Sequence, residues 1–414
     1  MYDRTTTFLT TVITVALIVL PWNATALNQG SMANQFLNQR FSKDAIDDLL
    51  VKSLREISQG KHKQAFVTIN ELIKTAPNFK LGYLIRGDLI AAQGRALSAF
   101  GDPSAAESIK EPEIQGLRDE ARARLDYYLS DKKVSQLPNL LAKLSDNQEH
   151  LIVVDVASTR LFLYKKVDGT LKYMADYYVT IGKNGAGKQV QGDKRTPLGV
   201  YFAGKKLTQP LEDMYGDAAY PLNYPNELDQ HQNKNGNGIW LHGTPSNTYS
   251  RPPRASDGCV VLSNPDLKAL EPILQMGKTP VIITNNLEWL SADKANFQQD
   301  EQKQLQKSIE QWRSDWVSQN SDEYLSHYSS KFFYIDGDYQ KWADYKRSVQ
   351  LGKPKVSVAI RDISMFSYPN FDQPIVVVNF EQEFKSASLQ NKMQKRQYWL
   401  YENKQWKIIY EGTA

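Results

Sequence analysis

The spacing of hydrophobic residues changes twice along the chain and divides it into three parts. Between residues 36 and 130, apolar side chains recur every three or four positions, which predicts amphipathic helices. Between 149 and 285, short β-branched and aromatic runs alternate with polar turns, which predicts a mostly-β domain. From 298 to 414, helical spacing gives way to long strand patterns, which predicts an α+β module.

Individual elements follow from the same patterns. In the central part, strands are predicted at 151–154, 161–164, 177–182, 199–203, 238–242 and 279–283. In the last part, helices are predicted over 298–319 and 323–328, and strands over 355–362, 374–386, 395–402 and 405–411. We therefore expect a multidomain protein.

The helical part contains one local pattern with a known parallel. Gly60 falls between two helical patterns and Pro77 follows the second, and with Ala65, Leu72 and Gly82 they resemble a single tetratricopeptide unit. Such units normally stack before they are stable alone. A helical adaptor or dimerising segment is therefore the favoured interpretation, and a true repeat array is the alternative.

The first residues form a separate segment. Arg4 precedes an apolar run over 8–20, and the small residues Ala24, Thr25 and Ala26 follow. This order is typical of a secretory signal peptide over 1–26, cleaved after Ala26. The run is shorter than the roughly 20 residues that span a bilayer, although a retained membrane anchor is the alternative. The pattern predicts export to the periplasm.

Composition, net charge and cysteine count limit the classes of protein to which this chain can belong. The 414 residues are 41% hydrophobic and 23% charged, which is typical of folded domains rather than of disordered chains. The formal net charge is only +4 and shows no basic clustering, so we expect no nucleic-acid partner. Cys259 is the single cysteine, although exported proteins commonly pair cysteines in disulfides. It is either a catalytic thiol or a small buried hydrophobe.

Two short segments place chemistry around this cysteine. His242 ends an apolar run and is followed by Gly243, so its ring can be presented at a sheet edge. Gly258 precedes Cys259 and permits a sharp backbone that can aim N–H groups at an oxyanion. A histidine near a thiol can take its proton and stabilise the thiolate.

These segments resemble the YkuD-type L,D-transpeptidase catalytic domain, whose pattern is His-Gly followed by Ser-x-Gly-Cys, with an upstream Thr-Pro-x-Gly that matches 196–199. The resemblance implies Cys259 as nucleophile and His242 as base, without a cofactor. The residues that it assigns to support or to the oxyanion site are Gly243, Ser256, Asp257 and Gly258. It implies attack on the tetrapeptide stems of peptidoglycan, completed by an amine in transpeptidation or by water in carboxypeptidation.

The sequence departs from the commonest family pattern, Ser-His-Gly-Cys-x-Arg, at two positions. Asp257 replaces the histidine and Val261 replaces the arginine. A carboxylate facing the thiol would raise the thiol pKa, so we expect Asp257 to point away, toward a cationic stem amine; a turn-capping role is the alternative. Arg251 or Arg254 is predicted to bind the substrate carboxylate, with solvated loop charge as the alternative.

No metal site is predicted. His231, His242 and Cys259 are the conceivable zinc ligands, but the chain has no closely spaced ligand pair. Peptidoglycan stem peptides are the expected partner.

The last part resembles a nuclear-transport-factor-2-like (NTF2-like) cone, because its helical tryptophans precede long strands that end in Trp399 and Trp406. The aromatic residues indicate a core and a dimer surface, or alternatively a pocket for a glycan or small ligand. The tandem of both domains resembles exported L,D-carboxypeptidases of helical bacteria. A non-catalytic scaffold that binds the cell wall is the remaining alternative.

Overall fold

The computed structural model describes residues 45–97, 99–101, 111–130, 137–290, 292–350 and 355–414, with only the backbone for 45, 292–298 and 350. The predicted signal peptide and the start of the helical part lie outside these residues. The chain divides into two compact units: the first holds residues 1–132, 211–217 and 243–255, and the second holds the rest. Among the described residues, no helix has the length and hydropathy to cross a membrane.

The first unit is built on the predicted helices, α1 (Ala45–Ser58), α2 (His62–Thr75), α3 (Lys80–Ala91) and α4 (Glu111–Leu129). Gly60 makes the turn between α1 and α2 with a left-handed φ of 72°. A β-carbon on Gly82 would lie 2.8 Å from Leu72, so glycine allows α2 and α3 to pack closely. The core consists of the apolar helix faces that the spacing predicted.

Loop 243–255 packs on these helices within the first unit. The backbone N–H of Tyr249 donates to the carbonyl of Asn78 at 3.0 Å. The hydroxyl of Ser250 donates to buried Glu120 at 2.6 Å. Burial raises the pKa of Glu120, while the Arg124 guanidinium and the Ser250 hydroxyl oppose this rise. The loop is therefore fixed by buried polar contacts.

A five-stranded sheet organises the first part of the second unit in the order β4-β3-β2-β11-β6. Its strands are β2 (His150–Asp155), β3 (Arg160–Val167), β4 (Thr170–Tyr178), β6 (Gly199–Phe202) and β11 (Pro280–Thr284). A second sheet, in the order β10-β8-β7, contains β7 (Ala219–Pro221), β8 (Trp240–His242) and β10 (Val260–Val261). The remaining elements are β5 (Ile181–Gly182), β9 (Arg254–Ser256), α5 (Glu227–His231) and α6 (Asn264–Leu270). One hydrophobic core joins both sheets.

A buried ion pair ties β3 to β4. Arg160 and Asp176 are cross-strand neighbours whose side chains are only 4% and 5% exposed, and Arg160 Nε donates to Asp176 Oδ1 at 2.9 Å. Removing one partner leaves the other charge buried without compensation, which typically costs about 3–5 kcal/mol. Asp176→Ala should lower the free energy of unfolding by that amount in a urea titration. Lys392→Ala breaks an exposed ion pair with Glu381 and should cost less than about 1 kcal/mol; an equal loss would contradict the prediction.

The C-terminal domain is a curved seven-stranded sheet in the order β1-β14-β15-β16-β17-β12-β13. Its strands are β1 (Ala142–Lys143), β12 (Tyr328–Tyr334), β13 (Gly337–Asp338), β14 (Ser357–Tyr368), β15 (Ile375–Lys385), β16 (Gln390–Glu402) and β17 (Gln405–Thr413). Its helices are α7 (Ala292–Ser318), α8 (Ser321–Ser326) and α9 (Tyr339–Gln350). Trp312, Trp399 and Trp406 lie in its core, which agrees with the interpretation of the aromatic residues as core.

Several elements differ from their predicted limits. The helix predicted over 323–328 is α8, and it begins earlier because Asn320 caps it by accepting the N–H groups of Asp322 and Glu323. Tyr328 opens β12, which was not predicted. Helix α9 was not predicted either.

Candidate active site

Paired strands bring His242 and Cys259 to neighbouring positions. β8 and β10 run parallel, with Val260 opposite Leu241 and Val261 opposite His242. Cys259 directly precedes β10 and follows the Gly258 turn, and His242 is the last residue of the adjacent strand β8. His242 is buried at 2% exposure, and Cys259 is partly exposed. The arrangement suits a reactive thiol with a desolvated base beside it.

The turn before Cys259 requires glycine. Gly258 has φ of 127°, and a β-carbon there would lie 2.8 Å from the carbonyl oxygen of Arg195. Arg195 directly precedes the Thr-Pro-x-Gly segment, and Thr196 Oγ1 accepts the N–H of Gly182 at 2.9 Å. The two motifs found in the sequence are thus packed against each other, which sequence spacing alone does not reveal.

Gly258→Ala should therefore disturb the site and destabilise the domain. Left-handed strain costs about 1–3 kcal/mol, and the clash with a fixed carbonyl adds to it. We expect at least a tenfold loss of Cys259-dependent turnover, measured together with a urea titration. Gly277→Ala is a matched control, since Gly277 also has positive φ but no atom within 4 Å of the added carbon. Unchanged turnover in Gly258→Ala would contradict the close packing.

Hydrogen bonds fix the cysteine and its turn. The Cys259 thiol donates to the carbonyl of Gly238 at 3.2 Å. The Ser256 hydroxyl donates to the Cys259 carbonyl at 2.7 Å and accepts the N–H of Gly258 at 3.2 Å. The Ser256 carbonyl accepts the N–H of Lys183 at 2.8 Å. Ser256 therefore holds the backbone of Gly258 and Cys259 in place through these three hydrogen bonds.

Two N–H groups predicted to serve the oxyanion have protein acceptors instead. Gly258 donates to Ser256 Oγ, and Gly243 donates to the carbonyl of Tyr215 at 3.0 Å. Both bonds hold the local turn, and the supporting or oxyanion role that the family resemblance implies for Gly243 and Gly258 stays a prediction.

The Asp257 carboxylate is exposed and paired with a lysine. Its Oδ1 accepts from Lys183 Nζ at 3.0 Å, and the side chains are 66% and 48% exposed. We expected Asp257 to face a cationic amine of the stem peptide, and in this structure Lys183 pairs with it. An exposed pair of this kind contributes at most about 1 kcal/mol, so a competing amine could displace it.

The two predicted substrate arginines belong to the first unit. Arg251 donates to the carbonyl of Ala255 at 2.7 Å, so part of its guanidinium is used to shape the loop. Arg254 is exposed. Val261, at the position of the family arginine, is 2% exposed and part of the core.

Two features of the site were missed in the sequence. The first is the carbonyl of Gly238, which accepts from the Cys259 thiol. Gly238 ends the turn-forming run 235–238, and this run predicts a loop but not the hydrogen bond to Cys259. Asp193 stabilises the loop before Thr196: burial raises its pKa, but Lys188 and the N–H groups of Gln189, Arg195 and Val190 lower it to about 2. Backbone acceptors and loop carboxylates leave little trace in a single sequence.

The imagined zinc ligands do not form a cluster. His231 stacks on Phe333 in the C-terminal domain, with ring centroids 3.7 Å apart. No group of three histidine, cysteine, aspartate or glutamate side chains in the described part of the chain could hold a metal ion.

Two segments of the chain match known protein families. Residues 149–283 match the YkuD L,D-transpeptidase catalytic domain, and residues 304–412 match the Cds6 C-terminal NTF2-like domain. Bd1075 of Bdellovibrio bacteriovorus is 26% identical, with 67% of this chain and 99% of that chain covered and a TM-score of 0.57. The helical cell shape determining protein Pgp2 of Campylobacter jejuni is 24% identical, with 69% and 97% covered and a TM-score of 0.56.

A search of curated proteins gives no match. The two family models match successive segments of the chain. The chain therefore consists of N-terminal helices, a mostly-β L,D-transpeptidase catalytic domain and a C-terminal NTF2-like domain.

Proposed function

We propose that the protein is an L,D-transpeptidase that acts on the tetrapeptide stems of peptidoglycan, with Cys259 as nucleophile and His242 as base. The observation that supports the proposal is the parallel pairing of β8, which ends at His242, with β10, which begins directly after Cys259 and the Gly258 turn. The match of residues 149–283 supplies the reaction class.

The reaction begins when His242 takes the thiol proton. The thiolate attacks the carbonyl between stem positions three and four, and the C–N bond breaks as His242 returns the proton to the departing D-alanine. The product is a thioester on Cys259. An acceptor amine then attacks the thioester, loses its proton to His242 and forms the cross-link, while Cys259 leaves as thiolate and is reprotonated.

Hydrolysis of the thioester is the second candidate. The order of the two matched domains is the one by which the sequence resembles exported L,D-carboxypeptidases. The partly exposed Cys259 also leaves room for water to attack. In that case the tetrapeptide is trimmed to a tripeptide without a cross-link.

Mass spectrometry of a disaccharide-tetrapeptide incubated with the purified protein separates these functions. A cross-linked dimer supports transpeptidation, and tripeptide alone supports carboxypeptidation. Neither product, together with binding to intact cell-wall sacculi, would favour the non-catalytic scaffold and contradict the proposal.

Export is part of the proposal because the substrate lies outside the cytoplasm. Residues 1–26 carry the features of a signal peptide. N-terminal sequencing of the periplasmic protein should begin at Leu27. Binding of a glycan or small ligand by the C-terminal domain stays a prediction. Formation of a homodimer also stays a prediction.

A further inference from the structure

Short helix α5 of the catalytic domain is held by side chains of the C-terminal domain. Glu227, its first residue, accepts from Arg396 Nη1 at 3.1 Å and from the Tyr398 hydroxyl at 2.7 Å. Asn226, its N-cap, donates from Nδ2 to the Tyr368 hydroxyl at 2.9 Å. Side chains of strands β14 and β16 therefore form hydrogen bonds with two adjacent residues at the beginning of α5.

The side chains that contact Glu227 are buried, while the Glu227 side chain itself is 25% exposed. Asn226, Tyr368, Tyr398 and Arg396 are 3%, 5%, 1% and 7% exposed. Burial raises the pKa of Tyr368 and of Tyr398 well above the ordinary value, so both hydroxyls remain protonated donors at physiological pH. Satisfied polar networks in a low-dielectric interior are stiff, because any displacement leaves a buried group unpaired.

One route leads from α5 to the thiol along the chain. Asp229 of α5 accepts from Lys234 Nζ at 3.0 Å, which ties the following loop to the helix. That loop ends at Gly238, whose carbonyl accepts from the Cys259 thiol, and β8 with His242 begins two residues later. A shift of α5 would therefore move the Gly238 carbonyl, which contacts the thiol, and His242, the proposed base.

A second route runs through the Thr-Pro-x-Gly segment. The Tyr201 hydroxyl donates to Asp229 Oδ2 at 3.0 Å and to the Leu198 carbonyl at 3.1 Å. A β-carbon on Gly199 would lie 2.5 Å from the Tyr368 hydroxyl oxygen. Glycine at this position therefore allows Tyr368 of the C-terminal domain to approach the backbone closely. The same segment follows Arg195, the residue packed on Gly258.

We propose that the C-terminal domain is a positioning element of the active site, in which Glu227, gripped by Arg396 and Tyr398, sets the Gly238 carbonyl and His242 relative to Cys259. The inference rests on Cys259 as the nucleophile of the proposed function. According to this inference, the C-terminal domain affects the rate of the reaction, whereas a domain that only binds a ligand would not.

Full-length Glu227→Ala and Glu227→Gln test this role. The matched control is Tyr328→Phe, which removes a buried hydroxyl bond to Glu411 wholly inside the C-terminal domain. Two readouts are compared with the melting temperature: kcat and KM on disaccharide-tetrapeptide, and the pH profile of Cys259 alkylation by iodoacetamide. A small displacement of reacting groups can cost on the order of 100-fold in rate.

We expect Glu227→Ala to lower kcat about 10- to 100-fold, to leave KM within twofold and to shift the alkylation profile, with partial recovery in Glu227→Gln. Tyr328→Phe should lower only the melting temperature. If Glu227→Ala melts lower but keeps the wild-type kcat and alkylation profile, the inference is overturned. If Glu227→Ala fails to fold, Tyr398→Phe decides by the same readouts.

The alkylation profile also separates the two proposals. A shifted profile in a protein that converts no tetrapeptide would sustain the positioning role while rejecting the proposed function.

Discussion

A Cys259→Ala protein should form neither cross-linked dimer nor tripeptide from disaccharide-tetrapeptide. Covalent catalysis has no route without the thiolate, and removal of a nucleophile that works with a base typically costs about 10⁴- to 10⁶-fold in kcat. Because Cys259 is the only cysteine, no other thiol can substitute for it. Product formation over several hours, followed by liquid chromatography, measures the loss.

Cys259→Ser separates loss of the nucleophile from loss of packing. Serine keeps the size and can still donate to the Gly238 carbonyl, yet its hydroxyl is a far weaker nucleophile at neutral pH. We expect both variants to melt near the wild-type temperature and both to be inactive. Turnover by Cys259→Ala above one percent of the wild-type rate would exclude the thiol as nucleophile.

His242→Ala has the second largest expected effect. General base catalysis contributes about 10²- to 10⁴-fold, and the loss should appear in kcat because the ring acts on the bond-forming step. Alkylation of Cys259 by iodoacetamide near neutral pH should slow as well, since no imidazole remains to stabilise the thiolate. Both rates can be measured on the same purified sample.

The control for this variant is another histidine. His62 begins α2 and is exposed, so His62→Ala should keep the wild-type kcat and alkylation rate. Because His242 is buried, its removal also opens a cavity, and the melting temperature shows how much activity is lost to unfolding. Wild-type alkylation in well-folded His242→Ala would mean that the base lies elsewhere.

The sequence predicted the parts of the fold that depend on local patterns. The runs around 151–154 and 161–164 are β2 and β3, and the helical spacing from Ile46 onward gives α1 to α3. His242 and Cys259 could be singled out because their glycine neighbours and apolar flanks are adjacent in the chain.

Contacts between distant segments could not be predicted in this way. The approach of Arg195 to Gly258 and the grip of Arg396 and Tyr398 on Glu227 join residues far apart in sequence. Each of these residues looks like an ordinary surface or strand residue on its own. Only the packing of the sheets brings these distant segments into contact.

The central claim is that Cys259 carries the stem peptide as a thioester, and intact-protein mass spectrometry tests it directly. Wild-type protein mixed briefly with disaccharide-tetrapeptide and quenched in acid should gain the mass of the substrate minus the mass of one D-alanine molecule. Proteolysis should place the adduct on the peptide containing Cys259, and hydroxylamine should remove it. An unmodified Cys259 in a sample that is forming product, or an adduct on another residue, would contradict the account.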